Sequence, residues 1–383
     1  MPVMRVLAVS GSSGGHIFPA VSFISALKKQ CPQAQIILVL PKKALEFKIV
    51  ADRFKIKYIS SVITKRVLPG EPPRPCSLRC ARARFFVSPV TRFVCVIINF
   101  FESIFILIEF RPDVVAGFGS LSSLPMVLCA WGFRIKTLIH EQNVVPGKAN
   151  RLLAKFVNRI AISFDRTKDY LKVNPWKIIL TGNPLRQELK IIDKKEALEF
   201  CGLGQGKVTL LVSGGSQGSR KINECFFEAV SKIGNKQNLQ VIHISGNADF
   251  SELSAKYKNL DIKAKIFAFC DRMEYIYSAA DLVISRSGAL TITELINFRK
   301  PAILIPYPFA GAHQIENAKV LSEAGAAWLI EEKELSPDIL KDNIEGLVSS
   351  DKLDLMRQAF SGFSLNRADN LLAQAVLTLA RRK

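Results

Sequence analysis

One pattern constrains this chain more than any other. A short apolar strand runs into a turn of glycine and serine and then into a helix, and the pattern occurs in both halves. The first copy is VLAVSGSSGG, starting at Val6; the second is LLVSGGSQG, starting at Leu210. A second pair of segments shares the same build: PDVVAGFGSLSSLP from Pro112 and ADLVISRSGALTIT from Ala280. Apolar strands alternating with helices imply βαβ units and parallel sheets. A length of 383 residues fits two such domains. The expected fold class is therefore α/β, with two Rossmann-like parallel-sheet domains facing across a cleft. Ligands of such sheets gather at the carboxyl ends of the strands, where these turns lie.

The expected strands of the first half are Arg5–Ser10, Gln35–Leu40, Val114–Ala116, Thr137–Ile139 and Ile160–Ile162. Those of the second are Val208–Ser213, Val241–Ile244, Lys265–Phe267, Leu282–Ile284 and Ala302–Ile305. Residues 1–165 form the first domain, joined by a C-terminal helix over 366–383. Residues 166–186 read as a linker, and 187–365 as the second domain.

Charge is unevenly spread. The net charge is +20, but residues 1–180 hold 27 basic and 9 acidic side chains, whereas residues 181–383 hold 26 and 24. The first domain therefore faces something anionic: nucleic acid, a membrane surface or a phosphorylated ligand. The segment 61–92 combines five prolines with basic residues, and Arg79, Arg82 and Arg84 lie next to Phe85 and Phe86. The segment reads as a solvated basic loop or as a docking surface for phosphate or lipid headgroups, and apolar and basic side chains together suit a membrane interface. No nucleic-acid motif accompanies them, so the expected partner is an anionic membrane and not nucleic acid.

Further classes fall away. Eight cysteines, most inside apolar runs, read as small buried hydrophobes in a reducing compartment. Cys76 and Cys80 have neither a second pair nor a nearby histidine, which argues against zinc. No His/Cys cluster has ligand spacing, so neither a protein-bound metal nor a cofactor is expected. The N-terminus lacks the form of a signal peptide. The stretch Val90–Phe110 carries Arg92, Asn99, Glu102 and Glu109, too many polar residues for a span. A buried helix is the preferred reading of it, and a helix lying in a membrane interface is the other.

The loops carry the chemistry. Gly11–His16 and Gly214–Ser219 each offer backbone N–H groups and a helix start to an anion. Pro41-Lys42-Lys43 stands where an NAD site wants an acidic residue, which leaves an NADP enzyme as one alternative. His140-Glu141-Gln142-Asn143 crowds polar side chains at a strand end; it reads as a binding loop or as a capping cluster. Glu294, one to two turns into the helix after Ser287-Gly288, can accept both hydroxyls of a ribose, or simply face solvent near the helix start. His313, Gln314 and Asn317 suit sugar hydroxyls, with a loose loop as the other reading. His243 lies inside an apolar strand and reads as structural.

Taken in order, GSSGGHIFPA, RPDVVAGFG, HEQNVVPGKANRLLAK, TGNPLR, VSGGSQGSRKINE, RSGALTITEL and HQIENAKVLSEAGAA resemble one family. It is that of the undecaprenyldiphospho-muramoylpentapeptide β-N-acetylglucosaminyltransferases, the MurG family within glycosyltransferase family 28. The resemblance implies a GT-B fold. It also implies an inverting hexosyltransferase that moves GlcNAc from UDP-GlcNAc to the muramoyl C4 hydroxyl of lipid I, giving lipid II. A peripheral place on the cytoplasmic face of the inner membrane and association with a cell-wall synthesis complex go with it, as do roles in cell shape and division.

Carried over motif by motif, Ser216 contacts the diphosphate, and Arg186 and the backbone at Cys270 lie near the nucleotide. Ala289, Leu290, Thr291 and Glu294 continue the donor site, with Glu294 on the ribose. Asn143 and Gln314 hold the GlcNAc hydroxyls. Ser13, Gly14 and Gly15 line the acceptor side with His16, the candidate base. Three positions depart from the family pattern: Ser12-Ser13 in the first loop, Gly119-Ser120-Leu121 where the family shows G-G-Y, and Cys270 where an aliphatic residue is usual. The alternatives are a diacylglycerol glycosyltransferase of the same fold, an NADP-linked oxidoreductase, and a non-catalytic nucleotide-sugar sensor or scaffold.

Overall fold

The computed structural model describes residues 3–42, 55–59, 89–215, 218–310, 312–349, 351–363 and 367–381, with the backbone alone for 89–95. The chain divides into two compact units. Unit 1 holds Met1–Gln142, Pro146–Pro184 and Arg367–Lys383; unit 2 holds Asn143–Val145 and Leu185–Asn366.

The strands of unit 1 are β1 (Arg5–Val9), β2 (Gln35–Pro41), β3 (Ile56–Ile59), β4 (Val114–Gly117), β5 (Lys136–Glu141), β6 (Arg159–Ile162) and β7 (Ile178–Leu180). All pair in parallel in the order β3-β2-β1-β4-β5-β6-β7. The helices are α1 (Gly14–Gln30), α2 (Pro89–Phe110), α3 (Leu124–Gly132) and α4 (Lys148–Leu153). Near-continuous apolar runs suit strands covered on both faces. Alternate side chains serve opposite faces. Val6, Ala8, Ile36 and Leu38 pack with α1 and with the C-terminal helix Ala368–Arg381. Leu7, Val9, Ile37 and Val39 pack with α2, α3 and α4. The C-terminal helix lays Leu372, Ala373, Val376 and Leu379 on the first of these faces. That 3-to-4 spacing is the apolar stripe of a helix docked along one side.

Three short strands are not expected from the sequence: β3, β7 and, in unit 2, Ala327–Leu329. The second lies inside 166–186, the segment read as a linker. β7 pairs with β6 and belongs to unit 1, which continues to Pro184.

Helix α2 differs from the preferred sequence reading. Asn99 and Ser103 are fully buried, while Phe101 (68% exposed), Phe105 (67%) and Ile108 (59%) face outward with Ile97 and Ile98. The helix is apolar on more than one side, so hydrophobicity alone does not select the buried face. Among the described residues no helix is long and apolar enough to cross a membrane. The segment 61–88, with Arg79, Arg82, Arg84, Phe85 and Phe86, lies outside the described residues.

Unit 2 repeats the plan. Its strands are β8 (Val208–Ser213), β9 (Leu239–Ile244), β10 (Lys263–Phe267), β11 (Leu282–Ser285), β12 (Ala302–Leu304) and β13 (Ala327–Leu329). They pair in parallel in the order β10-β9-β8-β11-β12-β13. Helices α5 (Lys194–Phe200), α6 (Arg220–Lys232), α7 (Phe250–Lys258), α8 (Met273–Ala279), α9 (Ala289–Phe298), α10 (His313–Ser322), α11 (Pro337–Val348) and α12 (Lys352–Ala359) accompany them. Strand order reverses next to β1 in unit 1 and next to β8 in unit 2. Both glycine loops therefore leave strands at the reversal, where such sheets open a crevice.

Candidate functional site

In unit 1 the crevice is built by the turns after β1 and β4. Ser13 stands at the N-terminus of α1, but its hydroxyl makes no cap bond and instead shares a 2.7 Å hydrogen bond with Nδ1 of His16. The other side of the imidazole packs against Gly119. A Cβ there would lie 3.1 Å from Nε2, and Gly119 has φ +78°, a region that favours glycine. Ser120 follows with φ 72° and ψ 150°, a combination that glycine alone takes without strain. Burial pushes the His16 imidazole down to about 4. The ring is therefore neutral across the neutral range. Gly14 and Gly15 open α1 at the same place.

Behind this crevice His140 is fully buried. Gln142 donates from Nε2 to Phe118 O and to His140 Nδ1, both at 3.2 Å, so His140 Nε2 carries the proton and donates to Gly182 O at 3.0 Å. Burial brings His140 to about 4 as well. Glu141, its neighbour, was not singled out individually from the sequence. Its Oε2 accepts from Gly147 N (3.0 Å) and Asn150 Nδ2 (2.9 Å), which caps the start of α4. Glu141 thus serves as a capping group, whereas Asn143 Oδ1 accepts from the side chain of Asn317. The signal was there: an acid before a Pro-Gly helix start.

Unit 2 has two neighbouring constellations. Around the second glycine loop, Gly214 has no room for a Cβ, which would meet Ser219 N at 2.2 Å, and one on Gly218 would meet Ser245 O at 2.3 Å. Arg286 donates from Nη2 to Ser219 Oγ at 2.8 Å and from Nη1 to Ile305 O and Pro306 O, both at 3.2 Å, which ties the loop to the turn after β12. Ser216, expected at the diphosphate, lies outside the described residues.

His243 supports the loop from beneath. Asn223 Nδ2 donates to Ser245 O and to Asp249 Oδ2, both at 2.8 Å, so its Oδ1 is an acceptor. His243 Nε2 must then be the donor at 3.0 Å, and Nδ1 accepts from the Tyr257 hydroxyl at 3.0 Å. Burial lowers His243 to about 3. The structural reading of this histidine fits the geometry.

The second constellation follows β11. Gly288 caps α9 without a side chain, so the N–H groups at Ala289, Leu290 and Thr291 begin a helix with no side-chain partner at the cap. Gln314 Oε1 accepts from Tyr307 N (2.9 Å) and Ser287 N (3.3 Å), which commits its carbonyl to the backbone. Asn317, fully buried, donates to Asn143 Oδ1 (3.0 Å) and accepts from Val144 N (2.9 Å). His313 Nδ1 donates to Val145 O at 2.8 Å. These bonds hold Asn143–Val145 within unit 2, whereas Glu141 and Gln142 stay in unit 1. Cys270 is buried after β10, and burial raises its thiol.

Glu294 lies on α9 and accepts a 2.9 Å hydrogen bond at Oε2 from the buried hydroxyl of Tyr277. Desolvation raises its carboxyl; the Tyr277 bond and the charge of Arg186 oppose the rise. Arg186, Tyr277 and Glu294 thus share one neighbourhood. Tyr277 was missed by sequence reasoning. Among the described residues no cluster of three or more His, Cys, Asp and Glu side chains is placed to hold a metal.

Two parallel sheets, each with a glycine turn and a helix start at its strand reversal, define an α/β protein of two Rossmann-like units, a build suited to phosphorylated ligands. Models of both domains of glycosyltransferase family 28 match: the N-terminal domain over residues 6–162 and the C-terminal domain over 209–372. The chain belongs to glycosyltransferase family 28. Among its relatives is the UDP-N-acetylglucosamine–N-acetylmuramyl-(pentapeptide) pyrophosphoryl-undecaprenol N-acetylglucosamine transferase of Thermodesulfovibrio yellowstonii. That protein is 36% identical over 99% of this chain and 100% of its own length. The transferase of the same name from Listeria welshimeri is 35% identical over 99% and 100%. Among solved structures, MurG of Acinetobacter baumannii superposes with TM-score 0.74 at 23% identity, covering 98% of this chain and 100% of that one. The UDP-GlcNAc 2-epimerase of Neisseria meningitidis gives 0.67 at 14%, covering 98% and 100%. These two likenesses speak to the fold, which is of the GT-B kind.

Proposed function

We propose that this chain moves GlcNAc from UDP-GlcNAc to the C4 hydroxyl of the muramoyl sugar of lipid I, with inversion, releasing lipid II and UDP. The observation that carries the reading is the end-to-end identity of 35–36% with transferases named for that reaction. The fold alone would not, since a UDP-GlcNAc 2-epimerase shares it.

In this reading unit 2 holds the donor. Glu294 accepts the ribose hydroxyls, and Arg186 and the backbone at Cys270 lie along the nucleotide. The Gly214–Gly218 loop with Ser216 cradles the diphosphate. The start of α9 at Ala289, Leu290 and Thr291 adds its N–H groups and its dipole. Gln314 offers its NH₂ to a GlcNAc hydroxyl, and Asn143 a second polar group. As the bond to the anomeric carbon breaks, charge grows on the departing UDP. Fixed N–H donors at a helix start stabilise that charge without reorganising.

Unit 1 takes the acceptor beside Ser13, Gly14 and Gly15. His16 is neutral and accepts the hydroxyl proton at Nε2 when Nδ1–H points to Ser13 Oγ. A base this weak works late, as bond formation makes the attacking hydroxyl acidic. Peripheral attachment to an anionic membrane on its cytoplasmic side belongs to this reading; the basic first half and the outward apolar face of α2 support it, and Arg79, Arg82, Arg84, Phe85 and Phe86 precede that helix in the sequence. Assembly with other cell-wall enzymes belongs to the same reading.

Transfer of labelled GlcNAc to a short-chain lipid I analogue tests it. Labelled disaccharide is the expected product, and label on diacylglycerol alone would replace this reading with the lipid-glycosylating alternative.

A further inference from the structure

We infer that Tyr277 is a positioning residue that sets the donor specificity of the same site for ribose over deoxyribose, by holding Glu294 in one orientation. The inference rests on the reading of Glu294 as the ribose ligand.

Tyr277 comes from α8 and Glu294 from α9. The phenol is 4% exposed, and its ring stacks on Phe298 with centroids 5.2 Å apart at 26°. Phe298 lies one turn beyond Glu294 on the same helix. The ring is thus locked against α9, and its hydroxyl is aimed at Oε2 of Glu294 at 2.9 Å. Among the described residues Tyr277 is the one hydrogen-bond donor to this carboxylate.

A glutamate has three side-chain torsions, and an untethered one samples several wells. A vicinal diol is recognised only if the acceptor oxygen is held at the right place and angle. Tyr277 occupies one oxygen and leaves Oε1, with its lone pairs, for the ribose. The tether also helps the carboxyl to stay ionised against the cost of its burial, and the phenol itself stays protonated because burial raises it well above its ordinary value. The same contact therefore fixes the geometry of the diol acceptor and favours its charged form. Losing it weakens ribose recognition while phosphate and sugar contacts remain.

The test compares kcat/KM for UDP-GlcNAc and its 2′-deoxyuridine counterpart in the full chain. Hydrogen bonds to a charged acceptor make the wild-type preference for ribose about tenfold or more. Glu294→Gln should bring it to about twofold. Tyr277→Phe should lower it about threefold, to a value between wild type and Glu294→Gln, mainly through KM, with kcat little changed. Placing 4-aminophenylalanine at 277 keeps a para donor on the same ring and should stay within about twofold of wild type. This comparison keeps the test decisive if the phenylalanine variant folds poorly. A purely structural Tyr277 would lower the amount of active protein and leave the ratio unmoved. If Glu294→Gln collapses the preference and Tyr277→Phe leaves it intact, the positioning role is overturned and the ribose reading stands. The same follows if the 4-amino variant loses the preference. If Glu294→Gln leaves the preference intact, the ribose reading itself fails and takes this inference with it.

Discussion

Ser120 stands directly over Gly11: a Cβ on Gly11 would come within 2.6 Å of the Ser120 Cβ. The two residues close the turns after β4 and β1 upon each other. Ser120 takes part at φ 72° and ψ 150°, where a side chain costs about 1–3 kcal/mol. The Ser122 hydroxyl, donating to Ser120 Oγ at 3.1 Å, offsets little of that.

Ser120→Gly should therefore stabilise unit 1. After the entropy of the added glycine, the gain is about 1 kcal/mol, or about 2–4 °C in the melting of that unit. Gly11→Ala should do the reverse, since two β-carbons cannot share the space. Calorimetry of both variants decides it, and a lower melting temperature for Ser120→Gly would mean that the serine's bonds outweigh the strain.

Replacing His16 by alanine should reduce turnover far more than donor affinity. General-base groups contribute typically about 10²–10⁴ in rate. With its imidazole at about 4, the acid limb that His16 imposes on kcat/KM should fall near pH 4, well below an exposed histidine. Turnover close to wild type in the alanine variant would place the base elsewhere.

Acid should destabilise unit 2 through His243, and unit 1 through His140 in addition to His16, whose imidazole burial also holds at about 4. His140 sits at about 4 and His243 at about 3, against 6.5 for the free ring. Above pH 6.5 both are neutral whether folded or unfolded, and neither contributes. As pH falls below 6.5 the unfolded chain takes up protons that the folded chain refuses, so stability drops until the folded value is reached. At pH 5 each costs about 2 kcal/mol. His243→Gln should flatten the pH dependence of unit 2 unfolding between 6.5 and 4, whatever it does to stability at pH 7. An unchanged slope would refute the assignment.

The outward face of α2 should bind lipid. Phe101→Asp with Phe105→Asp should abolish sedimentation with anionic vesicles while UDP binding stays as in wild type. Raising salt should weaken the wild-type association, because the basic half of the chain adds a screened attraction. Equal vesicle binding by both proteins would show that another surface carries the contact.

What the sequence revealed, and what it hid, follows physical lines. The inner strands of both sheets were legible because β1, β2, β8 and β11 are almost wholly apolar. β7 and β13 have three residues each, too few to show a period, and β7 sat in a stretch dominated by turns. Side chains at the strand ends and helix starts stood out: His16, Asn143, Glu294 and Gln314. The bonds that orient them did not. Tyr277 reaches Glu294 from another helix, and Gln314 spends its carbonyl on Ser287 and Tyr307. Such pairings depend on tertiary folding and leave no local mark. Helix α2 was ambiguous because it is apolar on several sides, so burying Asn99 and Ser103 could not be read from its pattern.

The most direct measurement incubates the full chain with labelled UDP-GlcNAc, a short-chain lipid I analogue and diacylglycerol together. Label should appear on the lipid I analogue as a β-linked GlcNAc, with UDP released in equal amount. Label on diacylglycerol only, or a donor epimerised at C2 without any acceptor, would contradict the proposed reaction.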